Sequence, residues 1–210
     1  MTVDLDRLSS RLRRLSETNP VSTKMVRPGR LEYHFSPGVT AESLVDDLAA
    51  SRWWGEVVGP HGSGKSTLLH SLIPRIECRD RHVQRVTLHR GQRRLRLHRK
   101  DVARWNSRTQ VVVDGYEQLW TPSRVWLNYT CRRRGVGLLI SVHRSAGLPL
   151  LWRTKTSPEL VRRVVAELLG ERAAMIEPGD IKAAWERHGP NLREVLFDLY
   201  DDYEIRRKTK

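Results

Sequence analysis

The spacing of apolar residues divides the chain into a mixed α/β part followed by a helical part. Short apolar runs bounded by turn residues predict buried strands at Trp53–Val58, Val111–Asp114 and Gly137–His143. Two less apolar segments predict further strands at 82–90 and 150–154. Strands of this kind, separated by helical segments, are typical of a parallel sheet covered by helices.

Helical periodicity is found between these strands and again after the last of them. It predicts helices at 1–20, 40–50, 65–76, 121–134, 157–169, 178–187 and 191–206. The first is amphipathic and is expected to cover the body, or alternatively to lie on a membrane surface. Thr40 is expected to cap the second helix, and Thr121, followed by Pro122, the fourth.

A glycine-rich segment joins the first strand to a helix and is called here the phosphate loop. It consists of Gly59, Pro60, His61, Gly62, Ser63, Gly64, Lys65, Ser66 and Thr67. The segment matches the pattern Gly-x-x-x-x-Gly-Lys-Ser, in which backbone N–H groups surround a phosphate at a helix N-terminus. Lys65 is expected to bind the β- and γ-phosphates and Ser66 to ligate Mg²⁺. The strand, loop and helix in this order predict a nucleotide site.

Two acidic residues close to the end of the most apolar strand are candidates for metal binding and catalysis. Asp114 ends the run Val111–Asp114, where it can hold the water shell of Mg²⁺. Glu117 follows in Asp-Gly-Tyr-Glu-Gln and is expected to orient the attacking water. The alternatives are a turn-forming aspartate before Gly115 and a solvated glutamate.

Polar residues also end the predicted strand Gly137–His143. If this strand neighbours the one before the phosphate loop, Ser141 or His143 can contact the γ-phosphate and report the nucleotide state. A histidine that serves only as a structural donor is the alternative for His143. ATP is expected rather than GTP, because the sequence has no guanine-selective Asn-Lys-x-Asp segment.

The order of these motifs resembles that of the AAA+ ATPases over residues 40–206, and more closely the small ones of origin-recognition or transposition-helper type. The likeness consists of a Walker A loop at Val57–Thr67, a Walker B strand ending at Asp114 and a sensor-like strand end at Ser141–His143. It also includes a last strand with Arg153 and a helical tail. The segment His188-Gly-Pro-Asn-Leu-Arg193 is similar to the sensor 2 segment of AAA+ lids, which implies that Arg193 contacts the γ-phosphate.

The resemblance defines the expected architecture and domains. The predicted fold class is α/β: a P-loop NTPase with a three-layer α/β/α parallel sheet and a small C-terminal helical lid. The expected domains are an N-terminal helix and linker (1–39), a nucleotide-binding core (40–156) and a lid (157–210). The expected function is that of a Mg²⁺-dependent ATPase or ATP-driven switch that acts on a macromolecular partner.

The sequence departs from the AAA+ pattern at two places. Gly115 follows Asp114 where the family has its catalytic glutamate, so a non-hydrolysing ATP-dependent binding module remains an alternative, and a small-molecule kinase a weaker one. Only Ser145–Leu150 separates the last two strands, which leaves no room for the helix that carries the arginine finger. Arg144 and Arg153 are the remaining candidates for that role, and a monomer or switch is expected rather than a hexameric motor.

The charge of the chain favours polyanionic partners. The formal net charge is +14, and 31 arginines stand against seven lysines, although a GC-rich genome would give the same bias. The densest basic tract, Arg79–Lys100, is predicted to include a hairpin with a turn at Gly91-Gln92 and a second strand at Leu95–Leu97. It is a candidate surface for nucleic acid, with stacking from Trp105 and Tyr116, or for an acidic protein. A solvated edge hairpin is the alternative.

The two cysteines, Cys78 and Cys131, are too few for a disulfide framework or a cysteine metal site. No apolar run is long enough to span a bilayer, and the N-terminus resembles no secretory signal. A cytoplasmic location is therefore expected.

Overall fold

The computed structural model describes residues 32–89 and 91–209, so the helix predicted at 1–20 lies outside the described residues. The described residues fall into two compact units, one formed by Glu32–Thr154 and one by the residues from Lys155 onward. None of the helices in the described part of the chain is both long and apolar enough to cross a membrane.

The first unit is built on a parallel sheet. Among the described residues its strands are β1 (Trp54–Val58), β2 (His82–Thr87), β3 (Thr109–Asp114), β4 (Gly137–Val142) and β5 (Leu150–Arg153). Their order is β2-β3-β4-β1-β5, and each neighbouring pair is parallel. The carboxyl ends of all the strands therefore lie at one edge of the sheet. Since β4 lies between β1 and β3, its end is next to both the phosphate loop and Asp114.

One helix precedes the first of these strands, and the others connect strands along the chain. They are α1 (Ala41–Ala50), α2 (Lys65–Glu77), α3 (Arg99–Ala103) and α4 (Thr121–Arg133), with a 3₁₀ turn at Tyr116–Gln118. The predicted cap of α1 is confirmed: Thr40 Oγ1 accepts from Ser43 N at 3.1 Å, and Ser43 Oγ accepts from Thr40 N at 3.0 Å. The expected cap at Thr121 is wrong. Thr121 is the first residue of α4, and Trp120 occupies the cap without a side-chain hydrogen bond.

Alternate residues of the strands fill two separate cores, as the period of a strand requires. Val111 and Val113 of β3 pack with Leu127 and Cys131 of α4 on one face of the sheet. Val112 packs with α1 and α2 on the other face. Burial raises the pKa of the Cys131 thiol to about 12. Helices thus cover both faces of a parallel sheet, and the predicted α/β/α fold class is confirmed.

The hairpin predicted within Arg79–Lys100 is wrong. Edge strand β2 pairs only with β3 among the described strands, and residues 91–98, called here the arginine loop, form neither helix nor strand. Leu95 and Leu97 are half-buried against the core on the α4 side of the sheet. Packing of two leucines, and not a second ladder of hydrogen bonds, therefore holds the arginine loop to the sheet.

The second unit is helical, as predicted from its periodicity. It contains α5 (Pro158–Leu169), a 3₁₀ turn (Gly170–Met175), α6 (Pro178–His188) and α7 (Leu192–Thr209). A core that includes Val161, Leu196 and Tyr203 joins these helices. Arg206 makes a two-point contact with Asp180, with nitrogen–oxygen distances of 2.7 and 2.8 Å. This pair lowers the pKa of Asp180 against the opposing effect of burial, which is the largest single influence on that carboxyl.

Candidate nucleotide-binding site

The phosphate loop follows β1 and extends into the first turn of α2, and its glycines are required for two different reasons. Gly62 and Gly64 have φ angles of +67° and +87°, which residues with side chains rarely adopt. Gly59 is required by close packing, because a Cβ atom there would lie 1.9 Å from Thr154 Oγ1. The loop conformation therefore depends on all three positions.

Two hydroxyl groups hold this loop to the end of β5. Ser63 Oγ donates to Pro60 O at 2.8 Å and lies 2.6 Å from Thr154 Oγ1, and both residues are buried. Thr154 N in turn donates to Val58 O at 2.9 Å. Ser63 was expected among the phosphate-binding residues, and in this structure its hydroxyl contacts Pro60 and Thr154. Sequence reasoning missed Thr154, which carries no motif.

Lys65 places its ammonium group inside the curve of the loop. The side chain is buried, and Nζ donates to Gly59 O at 2.7 Å and to Pro60 O at 2.6 Å. His143, at the end of β4, lies beside it, with Nδ1 3.4 Å from Lys65 Nζ and 3.2 Å from Gly59 O. The exposed ring of His61 lies against the His143 ring, with 3.8 Å between the ring centroids. The structure thus brings the loop and the predicted sensor histidine together.

Asp114 ends β3 and is oriented by the neighbouring strand. Ser141 Oγ donates to Asp114 Oδ1 at 2.6 Å and accepts from Gly115 N at 2.9 Å. Ser141 is 1% exposed, and its only proton is used by this bond. The side chain predicted to sense phosphate therefore fixes the aspartate in this structure, and a phosphate contact would require that bond to break.

A glycine explains why the second acidic residue follows Asp114 at a distance of three positions. Gly115 has a φ angle of +80°, and a Cβ atom there would lie 2.7 Å from Leu88 O, so a glutamate does not fit. The 3₁₀ turn that follows directs Glu117 back towards β4. Its Oε1 atom lies 2.8 Å from His143 Nε2, at ion-pair distance, and both side chains are about one quarter exposed. Glu117 thus lies near the phosphate loop despite its unusual offset.

Arg124 of α4 supports the turn that carries Glu117. Its guanidinium donates to Leu119 O at 2.8 Å and to Glu117 O at 2.7 Å. Its side chain also lines a cleft of about 310 Å³ together with Glu117, His143 and Arg144. Sequence reasoning did not single out Arg124, because one arginine among 31 gives no signal of its own.

A buried carboxylate fixes the short connection between β4 and β5. Glu56 of β1 is 1% exposed and accepts from Ala146 N at 2.8 Å, from Leu148 N at 3.4 Å and from Ser145 Oγ. Sequence reasoning missed this residue as well. Arg144 lies two residues after β4 and Arg153 is the last residue of β5, and both are exposed at the edge of the sheet that carries the phosphate loop.

Tyr33 packs against the phosphate loop from a segment that sequence reasoning left unassigned. A Cβ atom at Gly64 would lie 3.5 Å from the ring of Tyr33. Trp152 Nε1 donates to Tyr33 Oη at 3.0 Å, and Phe35 packs edge-on against the Tyr33 ring. Burial raises the pKa of the Tyr33 phenol, and the bond from Trp152 opposes that effect.

The donor set at this edge of the sheet fits a magnesium-bound nucleotide. Ser66 of the phosphate loop lies in the first turn of α2 and offers a hydroxyl oxygen, and Asp114 offers a carboxylate, both ligands that Mg²⁺ prefers. No group of three or more His, Cys, Asp or Glu side chains forms a metal site within the described residues. The available ligands therefore suit an ion shared with phosphate oxygens, not one held by protein alone.

The arginines of Arg79–Lys100 do not form one surface. Arg79 pairs with Asp46, and Arg85 contacts His70 of α2. Arg81 is 9% exposed, donates to Thr109 O at 2.8 Å and lies over the Trp53 ring at 4.1 Å, and burial lowers its pKa. The exposed members of the arginine loop and its continuation are Arg93, Arg94, Arg96, Arg99 and Lys100.

Trp105 and Tyr116, the two residues expected to stack on nucleic-acid bases, are buried. Trp105 and Tyr116 are only 6% and 3% exposed, because both side chains belong to the core on the α4 side of the sheet. The proposed stacking on these rings is therefore wrong. Arg193 is the second residue of α7 and is exposed in the helical unit, and its role as a sensor stays a prediction.

Comparison with known proteins gives structural likeness only. No protein-family model and no curated protein matches this sequence. A RuvB variant of Thermotoga maritima superimposes with a TM-score of 0.52 and 15% identity over 74% of this chain and 57% of its own. NtrX from Brucella abortus, solved in complex with ADP, superimposes with a TM-score of 0.58 and 11% identity over 98% of this chain and 56% of its own.

These likenesses concern the fold, since identities of 11% and 15% carry no residue-level relationship. The chain spans 57% and 56% of the length of the two solved proteins. The shared feature is a parallel sheet with flanking helices, with a glycine-rich loop after the inner strand β1 in this chain. The chain therefore has a three-layer α/β fold like that of these two solved proteins, with the phosphate loop at the carboxyl edge of its parallel sheet.

Proposed function

We propose that this chain binds ATP with Mg²⁺ at the phosphate loop and hydrolyses it, as an AAA+-like ATPase whose nucleotide state controls a macromolecular partner. One observation carries the proposal: Lys65, His143 and Glu117, which come from three different elements, meet at the phosphate loop. Nζ of Lys65 lies 3.4 Å from one ring nitrogen of His143, and the Glu117 carboxylate lies 2.8 Å from the other.

In this proposal the loop and α2 bind the triphosphate. Backbone N–H groups at the start of a helix attract anions, and Lys65 exchanges its bonds with two loop carbonyls for bonds with phosphate oxygens. Ser66 and Asp114 hold Mg²⁺, which neutralises charge on the phosphates when it is bound. Ser141 keeps the Asp114 carboxylate oriented for that task.

Hydrolysis requires a proton acceptor in the site. A water molecule attacks the γ-phosphorus, the Glu117 carboxylate accepts its proton, and the bond to the β–γ bridging oxygen breaks to give ADP and inorganic phosphate. His143 positions the carboxylate before the reaction. Arg193, in the helical unit proposed as a lid (157–210), contacts the γ-phosphate, so that loss of this group releases the lid and changes partner binding.

Binding and turnover are tested separately in the purified chain. Binding of a fluorescent ATP analogue and release of phosphate from Mg·ATP are measured for wild type, Lys65→Ala and Glu117→Gln, with GTP as competitor. Lys65→Ala is expected to lose nucleotide affinity by at least about tenfold, because a buried charge-assisted contact to phosphate is removed. Lys182→Ala, which changes a lysine whose side chain is 80% exposed in the helical unit, is the matched control and should behave as wild type.

Glu117→Gln is expected to keep ATP affinity and to lower turnover on the order of 10²-fold, since an amide cannot accept the proton. Turnover equal to wild type would contradict the assigned role. A chain that binds ATP but releases no more phosphate than Lys65→Ala would instead be a nucleotide-dependent binding module. The displacement of Glu117 from Asp114 favours this second function, because Gly115 occupies the position directly after the aspartate and a glutamate does not fit there.

A further inference from the structure

Helix α4 presents large apolar side chains to solvent on the face opposite to its core contacts. Leu127 and Cys131 face the core and are fully buried. Val125, Trp126 and Tyr129 are 62%, 44% and 62% exposed, and Trp120 at the N-cap is 55% exposed. Their spacing of three and four residues places the helical members on one side of α4. These four residues are called here the aromatic face.

The arginine loop is joined to the aromatic face through the main chain. Trp120 N donates to Arg93 O at 3.0 Å, and Ser123 Oγ lies 3.5 Å from the same oxygen. Arg93, Arg94 and Arg96 are exposed, while the alternating Leu95 and Leu97 are half-buried. The main chain of the arginine loop is therefore bonded to the N-terminus of α4, which makes the loop and the aromatic face neighbouring parts of the surface.

The charge of this surface has one sign. The sequence contains no Asp or Glu from Arg81 to Lys100, nor from Gln118 to Pro158. At the C-terminus of α4, Arg133 is exposed, while Arg132 lies over the Trp54 ring and Arg134 donates to Ala103 O. A polyanion is the complementary partner for such a surface.

The exposed rings next to the exposed arginines indicate which class of polyanion fits this surface. Unpaired bases stack on aromatic side chains, whereas the bases of a duplex are covered by their neighbours and offer only phosphates to such a surface. An acidic protein would neutralise the arginines but has no general need for the π-faces of Trp120, Trp126 and Tyr129. We propose that the arginine loop and the aromatic face bind single-stranded nucleic acid, with phosphates on the arginines and bases on the rings.

The test measures binding of a fluorescein-labelled 20-nucleotide oligothymidine and of a 20-base-pair duplex by fluorescence anisotropy, in the absence of nucleotide. Wild type is expected to bind the single strand at least about tenfold more tightly than the duplex at equal salt. Trp126→Ala and Tyr129→Ala should each weaken single-strand binding about tenfold, with little effect on the duplex. Arg94→Ala combined with Arg96→Ala should weaken both and reduce the salt dependence of binding.

Conservative variants separate stacking from simple apolar contact. Trp126→Phe keeps a π-face and should retain most of the affinity, whereas Trp126→Leu keeps apolar area without a ring and should lose as much as Trp126→Ala. Ile205→Ala and Arg162→Ala change an exposed apolar residue and an exposed arginine of the helical unit, and they should bind as wild type. Circular dichroism spectra that match wild type verify that each variant is folded.

Three results would overturn the proposal. They are equal affinity for single strand and duplex, unchanged binding in the two aromatic variants, and displacement of the oligonucleotide by polyglutamate as readily as by unlabelled oligothymidine. The last result would identify an acidic protein as the partner. The assay contains no ATP, so its result is independent of the proposed ATPase. Oligonucleotide binding can be absent from a chain that hydrolyses ATP, and it can be present in Lys65→Ala.

Discussion

The phosphate loop and the arginine loop follow two strands of one parallel sheet, and they are held in opposite ways. In the phosphate loop, close packing and hydrogen bonds hold several positions, from the packing of Gly59 on Thr154 to the bonds of Lys65 with loop carbonyls. In the arginine loop, Leu95 and Leu97 contact the core, and Arg93, Arg94 and Arg96 are exposed.

This difference indicates different kinds of function. A loop whose shape is fixed by close contacts suits one ligand of defined geometry, and small changes in volume will disrupt it. A loop whose charged side chains lie in solvent suits a polyanion without fixed register. The contributions of its arginines to the binding free energy should be additive and dependent on salt. Four tests address this comparison, and two of them compare a substitution with a matched control variant.

The largest effect is expected from a glycine substitution in each loop. Gly59→Ala should lower the free energy of unfolding by about 3 kcal/mol, because its methyl group overlaps Thr154 Oγ1 and approaches Ser63 Oγ. Gly91→Ala should cost about 1 kcal/mol, since nothing lies within 4 Å of its Cβ position and only the φ angle of +90° opposes alanine. Urea denaturation measures both, and equal losses would contradict the comparison.

Two arginines of the same sequence tract provide the second test. Arg81→Ala should lower the free energy of unfolding by about 2 kcal/mol, because it removes the cation–π contact with Trp53 and leaves Thr109 O without its donor. Arg94→Ala should change stability by less than about 0.5 kcal/mol, because the residue is exposed. A stability loss from Arg94→Ala as large as that from Arg81→Ala would show that the arginine loop is fixed by its charged side chains.

A third test concerns the buried carboxylate next to the phosphate loop. Glu56→Gln should lower the free energy of unfolding by about 1.5 kcal/mol, since the amide cannot accept all the bonds from Ser145, Ala146 and Leu148. The loss is measured by urea denaturation at neutral pH. No change in stability would mean that the β4–β5 connection is held by other contacts.

The fourth test concerns Leu95 of the arginine loop, and its expected effect is smaller than those of Gly59→Ala, Arg81→Ala and Glu56→Gln. Leu95→Ala should cost about 1 kcal/mol in the same denaturation assay, because only part of the side chain is removed from water. It should also weaken oligonucleotide binding modestly, by loosening the position of Arg94 and Arg96. If Leu95→Ala destabilises the chain more than Gly59→Ala does, the arginine loop is the more rigidly held of the two.

Much of the fold follows from local sequence patterns, and the failures share a cause. The strands at Val111–Asp114 and Gly137–His143 are predicted because their apolar runs leave no alternative, and the capping box at Thr40 is readable from residue types alone. The hairpin at Leu95–Leu97 is wrong because alternation of apolar and charged residues specifies faces, not a pairing partner. Its leucines do face the core, as the alternation requires.

The candidate site shows the same division. Residues with a motif, such as Lys65, are found from sequence, whereas Glu56 and Thr154 have no local signal because their partners are distant in the chain. The separations of Thr154 from Ser63 and of Ala146 from Glu56 are 91 and 90 residues. Only the paired strands bring such residues together.

The sequence by itself determined the parallel α/β class, the phosphate loop and the excess of positive charge, because these depend on residue type and local spacing. The tertiary structure decided that Ser141 orients Asp114, that Glu117 turns back to His143 after Gly115, and that the arginines divide between a buried contact and an exposed loop. These outcomes depend on the order of strands in the sheet and on side-chain burial, and a one-dimensional pattern contains neither.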